Sequence, residues 1–197
     1  KRQPTAVRIN GTRRQSEIRN PKSAMTSDAG SRHMLRALEL ARDPELACPA
    51  LIVADRQTAG RGRGTNLWWS APGALTFSLV LDAGQSRIKP ERWPHVALTA
   101  GLALCDALEE FVPGNVLEIK WPNDVCVNDR KLCGILAETV ETGSGTAAIV
   151  GIGINFNDEN FPAELKPHAT SLRSATGTDV DRNLLINELL KALGERY

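Results

Sequence analysis

The apolar and polar positions of this chain fall into blocks whose period changes several times between the termini. Met34, Leu35, Ala37, Leu38, Leu40 and Ala41 recur at helical spacing and stop near Asp43-Pro44, where proline disfavours the helical region for the residue before it. A short helix over 34–41 is predicted. Ala50-Leu51-Ile52-Val53-Ala54 is a compact β-branched run. It leads into a glycine- and arginine-rich stretch over 57–70, and Leu75-Thr76-Phe77-Ser78-Leu79-Val80-Leu81 follows, which reads as strand, long loop, strand. From Trp93 to Phe111, Leu98, Leu102, Cys105 and Leu108 share one helical face, and Pro113-Gly114 closes the segment. This predicts the main helix over a sheet, with that face inward.

Four further apolar runs, Val116–Lys120, Val125–Val127, Leu132–Val140 and Thr146–Ile154, are separated only by turn sequences such as Asn128-Asp129-Arg130. Connections this tight imply antiparallel neighbours. A loop rich in Asn, Asp and Pro follows. Asp181–Tyr197 then reads as an amphipathic helix with Leu185, Leu189, Leu190 and Leu193 inward. The order of elements predicts an α+β fold, a mixed and mainly antiparallel sheet packed against helices. No internal repeat is present.

A length of 197 residues suffices for one continuous core, and 42% apolar with 24% charged residues is ordinary for a globular chain. The longest apolar stretches fall far short of the roughly 20 residues of a membrane helix, so no span and no membrane partner are expected. The net charge of +1 conceals an asymmetry: residues 1–34 carry eight Lys and Arg against Glu17 and Asp28, and the rest is acidic on balance. Residues 1–28 are therefore expected to be a disordered basic tail and residues 29–197 the folded domain. The basic part contains no apolar signal-peptide region, and a cytoplasmic location is expected. Cys48, Cys105, Cys126 and Cys133 form no CxxC pair and are expected as buried free thiols. His33, His95 and His168 are too scattered for a zinc site to be assembled from local spacing.

The most informative segment is Gln57-Thr58-Ala59-Gly60-Arg61-Gly62-Arg63-Gly64. Glycines free the backbone for close approach to a ligand, and arginines supply planar, permanently charged forks suited to phosphate. It is neither a Walker A loop nor a Rossmann fingerprint, and it is too short and too closely framed by strands for an RGG-type RNA binder. A second group is Lys120-Trp121-Pro122-Asn123-Asp124 followed by Lys131-Leu132-Cys133-Gly134-Ile135-Leu136-Ala137-Glu138, whose charges could meet above a sheet. A third is Gly151-Ile152-Gly153-Ile154-Asn155, where glycines thin a strand so that a ligand or another backbone can approach.

These segments, with Trp68 after the arginine loop, resemble the biotin protein ligase family over about residues 29–197. The family pattern runs GRGRxxxxW, KWPND, KLxGIL and GxGxN in this order. The resemblance implies a class II synthetase-like fold and ATP-dependent activation of biotin as biotinyl-5′-AMP. It further implies transfer to a lysine of the biotin carrier domain of an acetyl-CoA carboxylase type of enzyme, with Mg2+ assisting. The carried-over catalytic residues are Lys131, Arg61 and Asp124. For biotin they are Gln57, Gly60, Arg61, Gly62, Arg63, Lys131 and Gly134, and for ATP and the adenylate Arg63, Trp68, Asn123 and Asn155. Asp124 is also the implied magnesium ligand.

The chain departs from the family pattern in three places. The Ser-Thr-Asn signature before the first helix is replaced by Gly30-Ser31-Arg32-His33, with Ser31 as its remnant. Leu67 stands before Trp68, where a basic residue is common. The helix ending at Tyr197 is not followed by the small terminal β-domain of many relatives, which puts ATP affinity in question. The amino-terminal segment lacks the periodic helices of a winged-helix domain, so no DNA partner is expected, and a homodimer is left open. Two alternatives stand beside the ligase: a weakened or non-catalytic binder of biotin or nucleotide, and a lipoate or octanoate transferase of the same fold.

Overall fold

The strand-forming blocks pair into one mixed sheet. The computed structural model describes residues 7–8, 25–27, 33–54, 57–71, 73–82, 95–143 and 145–196. In chain order the strands are β1 Val7–Arg8, β2 Met25–Ser27, β3 Ala50–Ala54, β4 Gly60–Arg61, β5 Leu67–Trp68, β6 Leu75–Asp82, β7 Leu117–Lys120, β8 Asp124–Val127, β9 Arg130–Thr142 and β10 Gly145–Ile154. The helices are α1 His33–Leu40, α2 Val96–Leu108, α3 Leu172–Thr176 and α4 Arg182–Arg196. The main sheet runs β1-β3-β6-β10-β9-β8-β7, with β2 also on β3, while β4 and β5 pair with each other. All neighbours are antiparallel except β2 and β3. The β8–β9 connection is tight because Asn128 and Asp129 both take left-handed backbone angles, φ 49° and 64°, as a two-residue hairpin turn requires.

Alternation along β6 sets the two faces of the sheet. Leu75, Phe77, Leu79 and Leu81 join the larger core with Leu104 and Leu108 of α2 and Leu185, Leu189 and Leu193 of α4. Each fully buried side chain of this size contributes about 2 kcal/mol. The opposite face is covered by α1, which lays Met34, Ala37 and Leu40 on Ile52, Val80 and Ile149. Beyond this smaller cluster the same face of β9 and β10 continues as Gly134, Gly151 and Gly153. The functional site lies there.

Several expectations change in detail. On α2 the inward residues are Val96, Ala100, Ala103, Leu104, Ala107 and Leu108, whereas Leu98 and Leu102 are 36% and 40% exposed. This helix is apolar nearly all round, so periodicity alone could not select its face. The face that packs is the one rich in alanine, whose small side chains let the helix approach. The expected helix also tightens into a 3₁₀ turn at Glu109–Phe111. In the segment read as a loop after β10, α3 forms because Ser171 caps it by accepting a bond from the Ser174 N–H, and Gly177 at φ 73° ends it. Asp181 caps α4 through the N–H groups of Asn183 and Leu184. Of residues 1–28, expected to be a tail, β1 and β2 lie against β3, and the rest falls outside the described residues. Cys126 and Cys133 are buried free thiols, as expected. Cys48 and Cys105 are half-buried.

Candidate active site

The site begins with the three glycines on the α1 face of the sheet. Gly153 of β10 pairs with Gly134 of β9, and Gly151 lies between Leu136 and Ser78 of its two neighbours. A Cβ added at Gly153 would lie 2.6 Å from Cε2 of Trp68, and one at Gly134 would lie 3.0 Å from Cζ3. The indole therefore rests across both glycines at a separation that no side chain there would allow. At Gly151 an added Cβ would meet Met34, which reaches over from α1.

A β-bulge brings Lys131 to this face. Val125 pairs with Cys133 but Cys126 pairs with Lys131, so Leu132 is an extra residue on β9. Leu132 and Cys133 both point into the larger core, and the alternation resumes with Lys131 on the side of Gly134. The bulge is tied down on its other edge. Lys131 N–H donates to the His168 carbonyl, its own carbonyl accepts from Thr170 N–H, and the Leu132 carbonyl accepts from Asn155 N–H, all at 2.8–2.9 Å. The Lys131 ammonium lies 2.7 Å from Asp124 Oδ1 and 5.7 Å from the Trp68 ring centre. The charges at the ends of β8 and β9 thus meet above the sheet. Asn123 is fixed beside them by a bond from Nδ2 to the Ile135 carbonyl, 2.8 Å.

The arginine-glycine loop folds over this platform. β4 and β5 pair Gly60 with Trp68 and Arg61 with Leu67, and Gly62 N–H donates to the Asn66 carbonyl at 2.8 Å. Gly64 turns the loop at φ 65°. The guanidinium of Arg61 donates to both oxygens of Glu138, which lies on the same face of β9 as Gly134. Leu67, expected to cost the site one positive charge, is 87% exposed on β5.

Between loop, sheet and α1 lies a cavity of about 620 Å³, of a size suited to a small-molecule ligand. Its mouth carries Arg61, Arg63 and Lys131, against Asp124. Its deep side is built from uncharged groups. Gln57 and His33 line it and are both buried, and Gln57 Oε1 has no hydrogen-bond partner among the described residues. His33 Nδ1 lies 2.6 Å from Ser78 Oγ, and burial lowers the imidazole to about 4, so the ring is neutral at ordinary pH. The arrangement suits a ligand with a neutral hydrogen-bonding head and an anionic end.

Of the predicted residues, Gln57, Arg61, Gly62, Arg63, Trp68, Asn123, Asp124, Lys131 and Gly134 line this one cavity. Gly60 does not, because its missing side chain makes room for the backbone and Cβ of Trp68. Asn155 does not line it either. Its amide is buried and donates to the carbonyls of Lys131 and Thr170, at 3.3 and 3.1 Å, so it pins the lysine strand where an adenylate contact was expected. Ser31 lies outside the described residues. His33 and Glu138 were not predicted as site residues. A charged side chain inside the apolar run of β9 was the available signal for Glu138, and His33 carried none beyond its place in the altered signature. Among the described residues, no three of His, Cys, Asp or Glu gather where they could hold a metal ion, and no helix is long and apolar enough to cross a membrane.

Comparison with known proteins agrees with this geometry. Residues 30–155 match the Biotin/lipoate A/B protein ligase family. The chain is 41% identical over 151 residues to the bifunctional ligase/repressor BirA of Bacillus subtilis, covering 75% of this chain and 45% of that protein. It is 34% identical over 148 residues to the biotin–[acetyl-CoA-carboxylase] ligase of Mycobacterium tuberculosis, covering 74% and 53%. It therefore spans about half the length of these relatives. Among solved structures, the biotin protein ligase from Aquifex aeolicus in complex with biotin and ATP superposes with a TM-score of 0.68 at 36% identity, covering 81% of this chain and 65% of that one. With a matched segment of 126 residues out of 197, a shared mixed sheet and the ordered motifs around one cavity, the chain belongs to the Biotin/lipoate A/B protein ligase family.

Proposed function

We propose that the chain activates biotin with ATP as biotinyl-5′-AMP and passes the biotinyl group to a lysine of a biotin carrier domain. The observation that carries this reading is the polarity of the cavity, with three cations at the mouth and uncharged hydrogen-bonding groups at the deep side. Biotin has the matching polarity, a cyclic urea at one end and a carboxylate at the other.

In the first step a carboxylate oxygen bonds to the α-phosphorus of ATP, the bond from that phosphorus to the bridging oxygen breaks, and pyrophosphate leaves. Two anions must be brought together, so fixed cations supply much of the rate. Lys131 would bridge the biotin carboxylate and the α-phosphate, exchanging its contact with Asp124 for them. Arg61 and Arg63 would hold the phosphate from the loop side. Trp68 forms the wall between the two ligand ends and helps exclude water from the mixed anhydride. In the second step the carrier lysine's amine bonds to the acyl carbon, AMP leaves, and the amine loses a proton, for which Asp124 is the carboxylate at hand. Asp124 is the carboxylate that would hold magnesium at this site. The ion would neutralise phosphate charge.

The family also contains ligases for lipoyl groups, whose dithiolane head is apolar. The unpartnered Gln57 Oε1 favours biotin, because a buried acceptor without a donor costs about 1–3 kcal/mol and a urea N–H would satisfy it. The test is biotin-dependent exchange of labelled pyrophosphate into ATP, run beside Lys131→Ala. Exchange with biotin, absent in the variant, supports the reading. Exchange driven by lipoate or octanoate, or biotin binding without exchange, refutes it.

A further inference from the structure

The deep side of the cavity contains a group that the family pattern does not assign. His33 opens α1, is 5% exposed, lines the cavity, and stands where the altered Gly30-Ser31-Arg32-His33 stretch enters the fold. Its Nδ1 is committed to Ser78, which leaves Nε2 as the remaining polar atom of the ring. Ser78 is fully buried and pairs across the sheet with Gly151, the glycine that Met34 of α1 fills. The imidazole is thus held against the sheet at one ring position, beside the glycine platform, with its orientation set by the serine.

The second, independent observation is Gln57 Oε1, buried, lining the same cavity and unpartnered. Two neutral, fixed, desolvated hydrogen-bonding groups on the deep side of one cavity call for a ligand head that is itself neutral and bears more than one hydrogen-bonding atom. A cyclic urea provides two N–H donors and a carbonyl acceptor.

We propose that His33 is a specificity-determining residue of this chain that hydrogen-bonds the urea ring of biotin through Nε2, with Ser78 fixing the tautomer it presents. This rests on biotin as the ligand. One atom of the ring is read by His33 whichever tautomer holds. If the Ser78 hydroxyl donates to Nδ1, the proton sits on Nε2 and meets the urea carbonyl. If Nδ1–H donates to Ser78, Nε2 accepts from a urea N–H. An aliphatic or dithiolane head offers neither group a hydrogen bond and leaves Gln57 Oε1 unsatisfied, so the pair selects against lipoyl and octanoyl groups.

The experiment is a double-mutant cycle between protein and ligand, read by calorimetric titration. Wild type, His33→Phe and His33→Gln are each titrated with biotin, with the two biotins methylated singly on the ring nitrogens, and with the thioxo analogue whose ring carbonyl is a weaker acceptor. Urea denaturation of each protein accompanies the titrations. His33→Phe is expected to lose about tenfold in biotin affinity, and for one of the three analogues that loss disappears, because the partner of Nε2 is already removed. His33→Gln, which keeps a polar atom at that depth, recovers part of the biotin affinity. A purely structural histidine would weaken biotin and all three analogues by the same factor, and equal factors within twofold overturn the proposal. Failure of the wild type to bind biotin overturns the function proposed above instead.

Discussion

Gly153→Ala tests the platform beneath Trp68. The added methyl carbon would lie 2.6 Å from Cε2, 2.8 Å from Cζ2 and 2.9 Å from Nε1 of the indole, whereas ordinary carbon contacts begin at about 3.4 Å. Either the ring lifts by about 1 Å or β10 recedes from the loop. Forcing such an overlap into a packed region costs about 1–3 kcal/mol, partly offset by the 0.5–1 kcal/mol that alanine gains over glycine within a strand. The net expectation is a loss of about 1–2 kcal/mol. Because the displaced ring is the wall of the cavity, biotin-dependent pyrophosphate exchange should fall at least tenfold at temperatures where the variant is still folded. Gly143→Ala is the matched control: nothing lies within 4 Å of its added methyl. Urea midpoints compare the two variants, and exchange rates are measured on both. If Gly153→Ala is as stable as Gly143→Ala and retains full exchange, the placement of the indole on the glycines is wrong.

Further expectations follow from other positions. His33 binds its proton near pH 4 when folded and near 6.5 when unfolded, so the unfolded chain holds more protons between these values. Stability is complete above about pH 6.5 and falls by about 3 kcal/mol as pH drops to about 4, and in His33→Phe this part of the pH slope should vanish in urea titrations. Gly194→Ala, in the last turn of α4 with open space around the added methyl, should raise stability by about 0.5 kcal/mol. Cys133 is completely buried and burial pushes its thiol far up, so iodoacetamide at pH 8 should leave it unmodified in the native protein and label it in urea. Glu138→Ala should free the Arg61 guanidinium, and an arginine-specific protease should then cut within residues 57–71 faster than in wild type.

Much of this was legible in the chain because strands and glycine motifs have local causes. The tight turns at Asn128-Asp129 and after Thr142 dictated antiparallel neighbours, and the GRGRG loop pointed to phosphate before any contact was known. Which face of α2 turns inward was not legible, since leucines and alanines ring the helix and only the neighbouring α4 and sheet decide between them. The place of Asn155 was hidden for a similar reason. An asparagine after a glycine strand serves a ligand or a backbone equally well, and what settles its role is residues 168–170, which share no motif with it. His33 became visible only when Ser78, 45 positions away, was brought beside it.

The extra residue at Leu132 carries a consequence for how such chains diverge. If the strand kept all its residues but lost the bulge, strict alternation from Gly134 would turn Leu132 to the cavity face and send the Lys131 ammonium toward the apolar interior beneath α2. Substitutions around the cavity can weaken a ligase by degrees. A shift of one place in the pairing of this strand would take the lysine from the cavity at once, so register, more than identity, marks which descendants of the fold still present an ammonium there.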